Sequence, residues 1–312
     1  MILCVAASPS IDKLFEVDAV EVGRIHRPRS FVQVPGGKGL NVARAAHALG
    51  AQVVVTGILA GHAGHWIDDA LEAEGVQGSF WYVEGETRAS LSVADGTDRG
   101  LTEFYERGPD IGADGWDRLE GLVGQLLPTA SRMTISGNLP VGAPEDGYAR
   151  LIAAARAAGV PAALDSRERA LSLGVEAGPH LVKVNAEEAS GLVGRGLLTV
   201  EDARDAALEI LRGTGVGNGL AIVTRGAEGA VVATGAEEVL RGHLYERGPY
   251  PVGSGDAFLG GFVTALESGG SLRDALCLAL GAGAANAEVP GAGRLDPDRA
   301  RELAGRAQVD PM

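Results

Sequence analysis

Apolar, β-rich runs alternate with helix-like stretches along most of this chain, and few folds accommodate that order. The strand-like runs are Ile2–Ala7, Val53–Leu59, Met133–Ser136, Pro161–Asp165, Leu181–Asn185, Leu220–Thr224 and Ala230–Ala233. Helical stretches fall at Leu40–Leu49, His65–Glu74, Ala143–Ala158, Val200–Leu211, Ala257–Glu267, Leu272–Asn286 and Pro297–Arg306. Continuously apolar strands separated by amphipathic helices predict an α/β fold, with a largely parallel sheet covered on both faces.

Two stretches depart from this alternation. Lys13–Val34 carries β-type spacing (Leu14, Phe15, Val17, then Phe31, Val32, Val34) around Gly23. Arg88–Tyr105 has Ala89-Ser90-Leu91-Ser92-Val93, the break Asp95-Gly96, and then Leu101-Thr102-Glu103-Phe104. Two alternating runs around an Asp-Gly break predict a hairpin or small sheet. No internal repeat or low-complexity linker interrupts the chain. Residues 1–312 are therefore expected to form a single domain, with a small β lid from about 13–34 and 88–106 inserted into the α/β core.

Composition narrows the ligands. Acidic side chains outnumber basic ones 41 to 27, a formal net charge of -14, which disfavours nucleic acid and anionic membranes as partners. An anionic substrate would need cations gathered locally. Only Lys13, Lys38 and Lys183 are lysines; the other basic residues are arginine. The 47 glycines follow no three-residue period, so they point to tight turns and close backbone approach, not to collagen. The N-terminal Met1-Ile2-Leu3-Cys4-Val5 lacks a basic region and reads as a first strand, and no apolar run approaches the ~18–20 residues of a bilayer span. Cys4 and Cys277 read as reduced thiols, and the expected location is cytoplasmic.

Two glycine turns carry the chemistry. Pro251-Val252-Gly253-Ser254-Gly255-Asp256 opens a helix, where unpaired N–H groups and the helix dipole can hold an anion. Asp256 in the first turn has two readings: a helix cap, or a general base beside that anion hole. Pro35-Gly36-Gly37-Lys38-Gly39-Leu40-Asn41 also opens a helix, but it is not a P-loop. Val32 stands where the first glycine belongs and Gly39 where Ser or Thr belongs. It reads either as a ligand-binding turn or as a glycine turn with a solvated lysine.

Gly36-Gly37-Lys38-Gly39-Leu40-Asn41-Val42-Ala43 followed by Gly253-Ser254-Gly255-Asp256 resembles the two signatures of the PfkB (ribokinase-like) carbohydrate kinases. The likeness runs along essentially the whole chain. Pro9-Ser10-Ile11-Asp12 is similar to N-P-x-x-D, Gly23-Arg24-Ile25-His26-Arg27 to G-x-V-N-R, and Thr87-Arg88 to the T-R pair. Ser136-Gly137-Asn138-Leu139-Pro140 resembles S-G-S-L-P, Lys183-Val184-Asn185-Ala186-Glu187-Glu188 K-P-N-x-E-E, and Thr224-Arg225-Gly226-Ala227-Glu228-Gly229 S-x-G-x-x-G. Ser8 and His26 stand where the family usually has Asn, Asn138 where it has Ser, and Val184 where it has Pro. Asp165-Ser166-Arg167 stands near a more usual D-T/S-S-G. None of these falls on the proposed base or anion hole; His26, Asn138 and Arg167 bear on substrate choice.

The resemblance implies a three-layer α/β/α sandwich with a mainly parallel central sheet and a small β lid. It implies an ATP- and Mg²⁺-dependent phosphotransferase, in a family where monovalent-cation activation also occurs. Asp256 would be the base and Gly253, Ser254 and Gly255 the anion hole. Asn185 and Glu188 would hold Mg²⁺ through its waters. Lys183, Asn185, Thr224, Gly226 and Gly229 would line the nucleotide, with Asn286, Gly291 and Gly293 edging the adenine. Asp12, Gly37, Asn41 and Asn138 would face the sugar, with Arg27, Lys38 and Arg88 on its phosphate. Arg27 and Arg88, with Ala284-Ala285-Asn286-Ala287, resemble the branch acting on phosphorylated hexoses. The acceptor implied is fructose 1-phosphate, then tagatose 6-phosphate or fructose 6-phosphate; more distant readings are a neutral-sugar or nucleoside kinase, or an inactive sugar-binding regulator. A homodimer through the lid is implied as well.

Overall fold

The computed structural model describes residues 1–97 and 100–312. The chain runs β1 (Ile2–Ala6), β2 (Ser10–Val17), β3 (Ser30–Gly36), α1 (Lys38–Ala48), β4 (Val53–Ala60), α2 (Gly61–Ala73), β5 (Gln77–Val83), β6 (Ala89–Asp95), β7 (Leu101–Tyr105) and α3 (Gly112–Leu126). It continues with β8 (Arg132–Ser136), α4 (Gly147–Ala157), β9 (Ala162–Asp165), α5 (Glu168–Glu176), β10 (Leu181–Asn185), α6 (Ala186–Val193), α7 (Val200–Thr214), β11 (Leu220–Thr224) and β12 (Ala230–Thr234). Last come β13 (Val239–His243), α8 (Ser254–Glu267), α9 (Leu272–Glu288), α10 (Pro297–Ala304) and β14 (Gln308–Pro311).

Ten strands form one sheet in the order β14-β13-β12-β11-β10-β9-β8-β1-β4-β5. From β11 to β5 all neighbours are parallel, and β12, β13 and β14 add an antiparallel edge. Both faces are buried, and strand alternation divides the core accordingly. Ile2, Cys4 and Ala6 pack with α1, α2, α8, α9 and α10, while Leu3, Val5 and Ala7 pack with α3, α4, α5, α6 and α7. This is the three-layer arrangement the sequence implies. Elements it did not indicate are β5, α3, α5, α6, β13 and β14, and the helix expected over Ala143–Ala158 starts only at Gly147. Among the described residues no helix is long and apolar enough to cross a membrane.

The second sheet has four strands, ordered β3-β2-β6-β7. β2 pairs antiparallel with β3 and parallel with β6, and β6 pairs antiparallel with β7. Its strands match the two stretches that broke the alternation, beginning slightly earlier at Ser10 and ending at Gly36 and Tyr105. Residues 98 and 99, within the expected 88–106 stretch, lie outside the described residues.

Candidate active site

The chain leaves β1 for β4 and β5 on one side, then returns to β8, β9, β10 and β11 on the other. A parallel sheet that reverses direction in this way opens a crevice at the carboxyl ends of its strands. There a cavity of about 680 Å³ lies between the ends of β1, β8, β9 and β10, the N-termini of α1 and α8, and the small sheet. Asp12, Gly37, Lys38, Asn41, Arg88, Asn138, Lys183, Asn185, Glu188, Thr224, Gly253, Gly255 and Asp256 all line it. Residues scattered over most of the sequence meet in one place.

Gly253 adopts φ +83 ahead of α8, and a Cβ there would meet Ala292 at 2.8 Å. The N–H groups of Gly253 and Gly255 have no acceptor among the described residues, whereas that of Ser254 donates to the Pro251 carbonyl at 3.2 Å. Two of the three expected anion-hole donors are therefore open, and the third closes the turn. Asp256 caps nothing: it is buried, and Asn41 Nδ2 donates to its Oδ2 at 2.8 Å. Burial, and then the Asp165 carboxylate, push Asp256 up to about 6 against the pull of Lys38, Lys183 and the Asn41 hydrogen bond. Such a carboxylate can accept a proton near neutral pH. Asn41 Oδ1 is buried without a partner among the described residues, so it presents an acceptor to a ligand.

The other glycine turn brings the backbone against Asp12. A Cβ on Gly36 would fall 2.0 Å from the Asp12 Cγ, so only glycine admits the carboxylate here. Asp12 accepts from Ser10 Oγ at 2.6 Å and from the Gly37 N–H at 3.3 Å. Behind the turn, buried Arg44 donates to the carbonyls of Pro35 (3.0 Å) and Ala292 (2.8 Å) and pairs with Glu74 at 2.6 Å.

Asp165, at the end of β9 and wholly buried, is named in the sequence only as part of the Asp165-Ser166-Arg167 segment, with no role at the site. It accepts from Lys183 Nζ at 2.6 Å and Lys38 Nζ at 2.8 Å, and Lys38 also reaches Glu188 at 3.3 Å. Burial alone would raise Asp165, but the two ammonium groups hold it below the ordinary range. Burial opposes the charge on Lys38 too, yet the surrounding Asp165, Asp256 and Glu188 hold its pKa above the lysine range. Asn185 and Glu188 form a reciprocal capping box on α6: each side chain accepts the other's backbone N–H at 2.8 Å. No group of three or more His, Cys, Asp or Glu among the described residues could cage a metal. The one carboxylate and one amide here suit a hard cation that keeps its waters and its substrate phosphates.

Some expected positions lie elsewhere. Arg27 is exposed in the segment between β2 and β3 and does not line the cavity. Gly226 lies with Thr224 and Asn185 in a second groove, of about 410 Å³, that continues from the cavity. Gly229 adopts φ +95 where a Cβ would strike the Gly242 carbonyl at 2.0 Å, so it serves the turn. Asn286, expected to edge the adenine, is fully buried. Its amide donates to the Val252 carbonyl at 2.9 Å and accepts from Gly293 N–H at 2.8 Å, bracing the anion-hole turn from within. The rim also carries Arg167, which departs from the family motif and bears on substrate choice, and Arg107, which no motif singled out.

Known proteins share this architecture. Escherichia coli phosphofructokinase-2, solved in complex with substrates and products, is 28% identical with a TM-score of 0.90, covering 97% of this chain and 98% of that one. A Thermotoga maritima protein described as "Possible 1-phosphofructokinase" is 24% identical with a TM-score of 0.88, covering 100% and 99%; at that identity the fold alone is shared. Residues 5–299 match the pfkB family carbohydrate kinase. A paired set of glycine turns, a buried carboxylate with a raised pKa and a family match over nearly the whole length lead to one conclusion: this chain belongs to the pfkB family of carbohydrate kinases, ATP- and metal-dependent phosphotransferases with an alcohol acceptor.

Proposed function

We propose that the protein transfers the γ-phosphate of ATP to a ketohexose monophosphate, giving a bisphosphate, with fructose 1-phosphate as the leading acceptor. The observation that carries this reading is Arg88 on the cavity wall beside Asp12, a cation on the acceptor side that a neutral sugar would leave without a partner. Asp256 takes the proton from the acceptor hydroxyl as its oxygen attacks the γ-phosphorus, and the bond to the β-phosphate oxygen breaks to release ADP. Asn41 Nδ2 holds one carboxylate oxygen of Asp256, leaving the other for the proton. The open N–H groups of Gly253 and Gly255 face the charge that develops on the transferred group. Asp12 and Asn41 Oδ1 accept from sugar hydroxyls. When bound, Mg²⁺ neutralises the nucleotide phosphates; Asn185 and Glu188 would hold its waters.

A second reading has its own support: the E. coli enzyme, 27% identical, has been solved with fructose 6-phosphate. An ADP-release assay against fructose 1-phosphate, fructose 6-phosphate, tagatose 6-phosphate, fructose and ribose, with and without K⁺, tests both. Turnover restricted to the monophosphates supports the reading; equal turnover of fructose or ribose overturns it.

In this reading residues 1–312 are one kinase domain, with the small sheet as its lid. The lid exposes Phe31, Phe104 and Tyr105 at 54%, 59% and 63%, apolar surface suited to a second copy of this chain. Sedimentation at micromolar concentration should show a homodimer that Phe104→Glu weakens.

A further inference from the structure

We propose that Arg167 joins Arg88 in gripping the phosphate that the acceptor already carries, so that this group is held from the core wall and the small-sheet wall at once. The proposal rests on the reading of the site as a sugar-phosphate kinase. Its starting point is a division among the cations that line the cavity. Lys38 and Lys183 are already neutralised by Asp165. Arg88 and Arg167 have no carboxylate within ion-pair distance among the described residues.

Arg167 directly follows the buried pair Asp165 and Ser166, at the N-cap of α5. Ser166 Oγ donates to the Gly137 carbonyl at 2.9 Å, and Gly137 N–H donates to the Asp165 carbonyl at 2.8 Å. The Asn138 carbonyl beside them accepts from the buried Tyr148 hydroxyl at 2.8 Å. Arg167 therefore rises from a fixed base next to the cavity-lining Gly137-Asn138 turn. The residue after it, Glu168, has φ +54, a left-handed conformation that glycine adopts freely and glutamate does not.

On the small-sheet side, just ahead of β6, Arg88 is half-buried, donating to Ser90 Oγ at 2.9 Å and to the Ser8 carbonyl at 3.4 Å. Burial depresses its pKa, Asp12 offsets this in part, and the nearby positive charge of Arg167 adds to the depression. Two guanidinium groups that line one cavity without a carboxylate partner leave positive charge that an anion entering between them neutralises. Planar forks on two different elements then match the oxygens of one phosphate bidentately. The position, beside Asp12 and away from the Thr224–Gly226 groove, assigns that phosphate to the acceptor and not to ATP.

The test is steady-state kinetics on the full-length protein with the best ketohexose monophosphate, alongside calorimetry of that sugar phosphate alone. Removing a charged hydrogen-bonding partner predicts that Arg167→Ala raises KM and the calorimetric Kd for the sugar phosphate about 10- to 100-fold. The KM for ATP stays within about twofold of wild type. Arg167→Lys, which keeps the charge and loses the fork, gives an intermediate KM and serves as the readout should the alanine variant not fold. If neither variant changes KM or Kd for the sugar phosphate while Arg88→Ala raises both, the proposal is overturned and the kinase reading stands. An equal rise in KM for ATP also overturns it, placing Arg167 on the nucleotide. If the wild-type protein phosphorylates none of the monophosphates, the underlying reading fails and the proposal fails with it.

Discussion

Asp165, Lys38, Lys183 and Glu188 lie under the cavity as a closed set of ion pairs, whereas Arg88, Arg107 and Arg167 stand around its opening with no carboxylate in ion-pair reach among the described residues. The floor is bound into the parallel sheet: Asp165 ends β9, and Lys183 lies within β10. Its charges are matched before any ligand arrives, so they fix geometry and set the protonation of Asp256. The rim charges are unmatched, and Arg88 directly precedes β6 of the small sheet while Arg167 sits at the N-cap of α5 in the α/β layer. A net charge of -14 is thus compatible with anionic ligands, because a few cations at the opening are left without a carboxylate partner among the described residues.

Substitutions can break this contrast, and the largest effect belongs to the base. Asp256→Asn should lower kcat about 10²- to 10⁴-fold with little change in KM, measured by ADP release; near-wild-type turnover would remove Asp256 from the chemistry. Next comes the floor. Asp165→Asn strands Lys183 and leaves Lys38 only Glu188, and should cost about 3–5 kcal/mol in denaturant unfolding, against a small cost for Arg167→Ala. Equal costs would erase the distinction between floor and rim.

A pH profile gives a smaller and sharper reading. With Asp256 near 6 and required in its ionised form, kcat/KM should fall about tenfold per unit as pH drops below that value. In Asp165→Asn the limb should move to lower pH, since a negative neighbour that raises Asp256 is gone; an unmoved limb would detach the two carboxylates. Smallest is Glu168→Gly, which relieves a left-handed glutamate and should stabilise the fold by at most about 1 kcal/mol by thermal melting.

The sheet was legible because its central strands are buried on both faces and so read as unbroken apolar runs, as in Ile2–Ala6 and Leu220–Thr224. Helix α3 was not, although Trp116, Leu119 and Val123 keep a helical spacing into the core, because Gly112, Gly115, Gly121 and Gly124 weaken the local signal. The antiparallel edge strands β13 and β14 are short and partly polar, and take their structure from pairing with each other and β12. At the site, glycine turns with a fixed backbone requirement could be found from spacing. Asp165 could not, because its meaning lies in pairing with Lys38 across 127 positions. Arg27 and Asn286 show the opposite limit: a motif places a residue type, and packing then leaves one at the surface and buries the other inside a turn.

Arg44 ties together two segments that lie far apart in the chain. One guanidinium nitrogen donates to carbonyls on both, at Pro35 beside the sugar-side turn and at Ala292 beside the anion-hole turn. Neither segment can shift without stranding a buried donor or carbonyl. In the proposed function the spacing between the acceptor's seat and the donor's seat is therefore set by a side chain outside the cavity lining, a strut whose length would fix the distance over which the phosphoryl group travels.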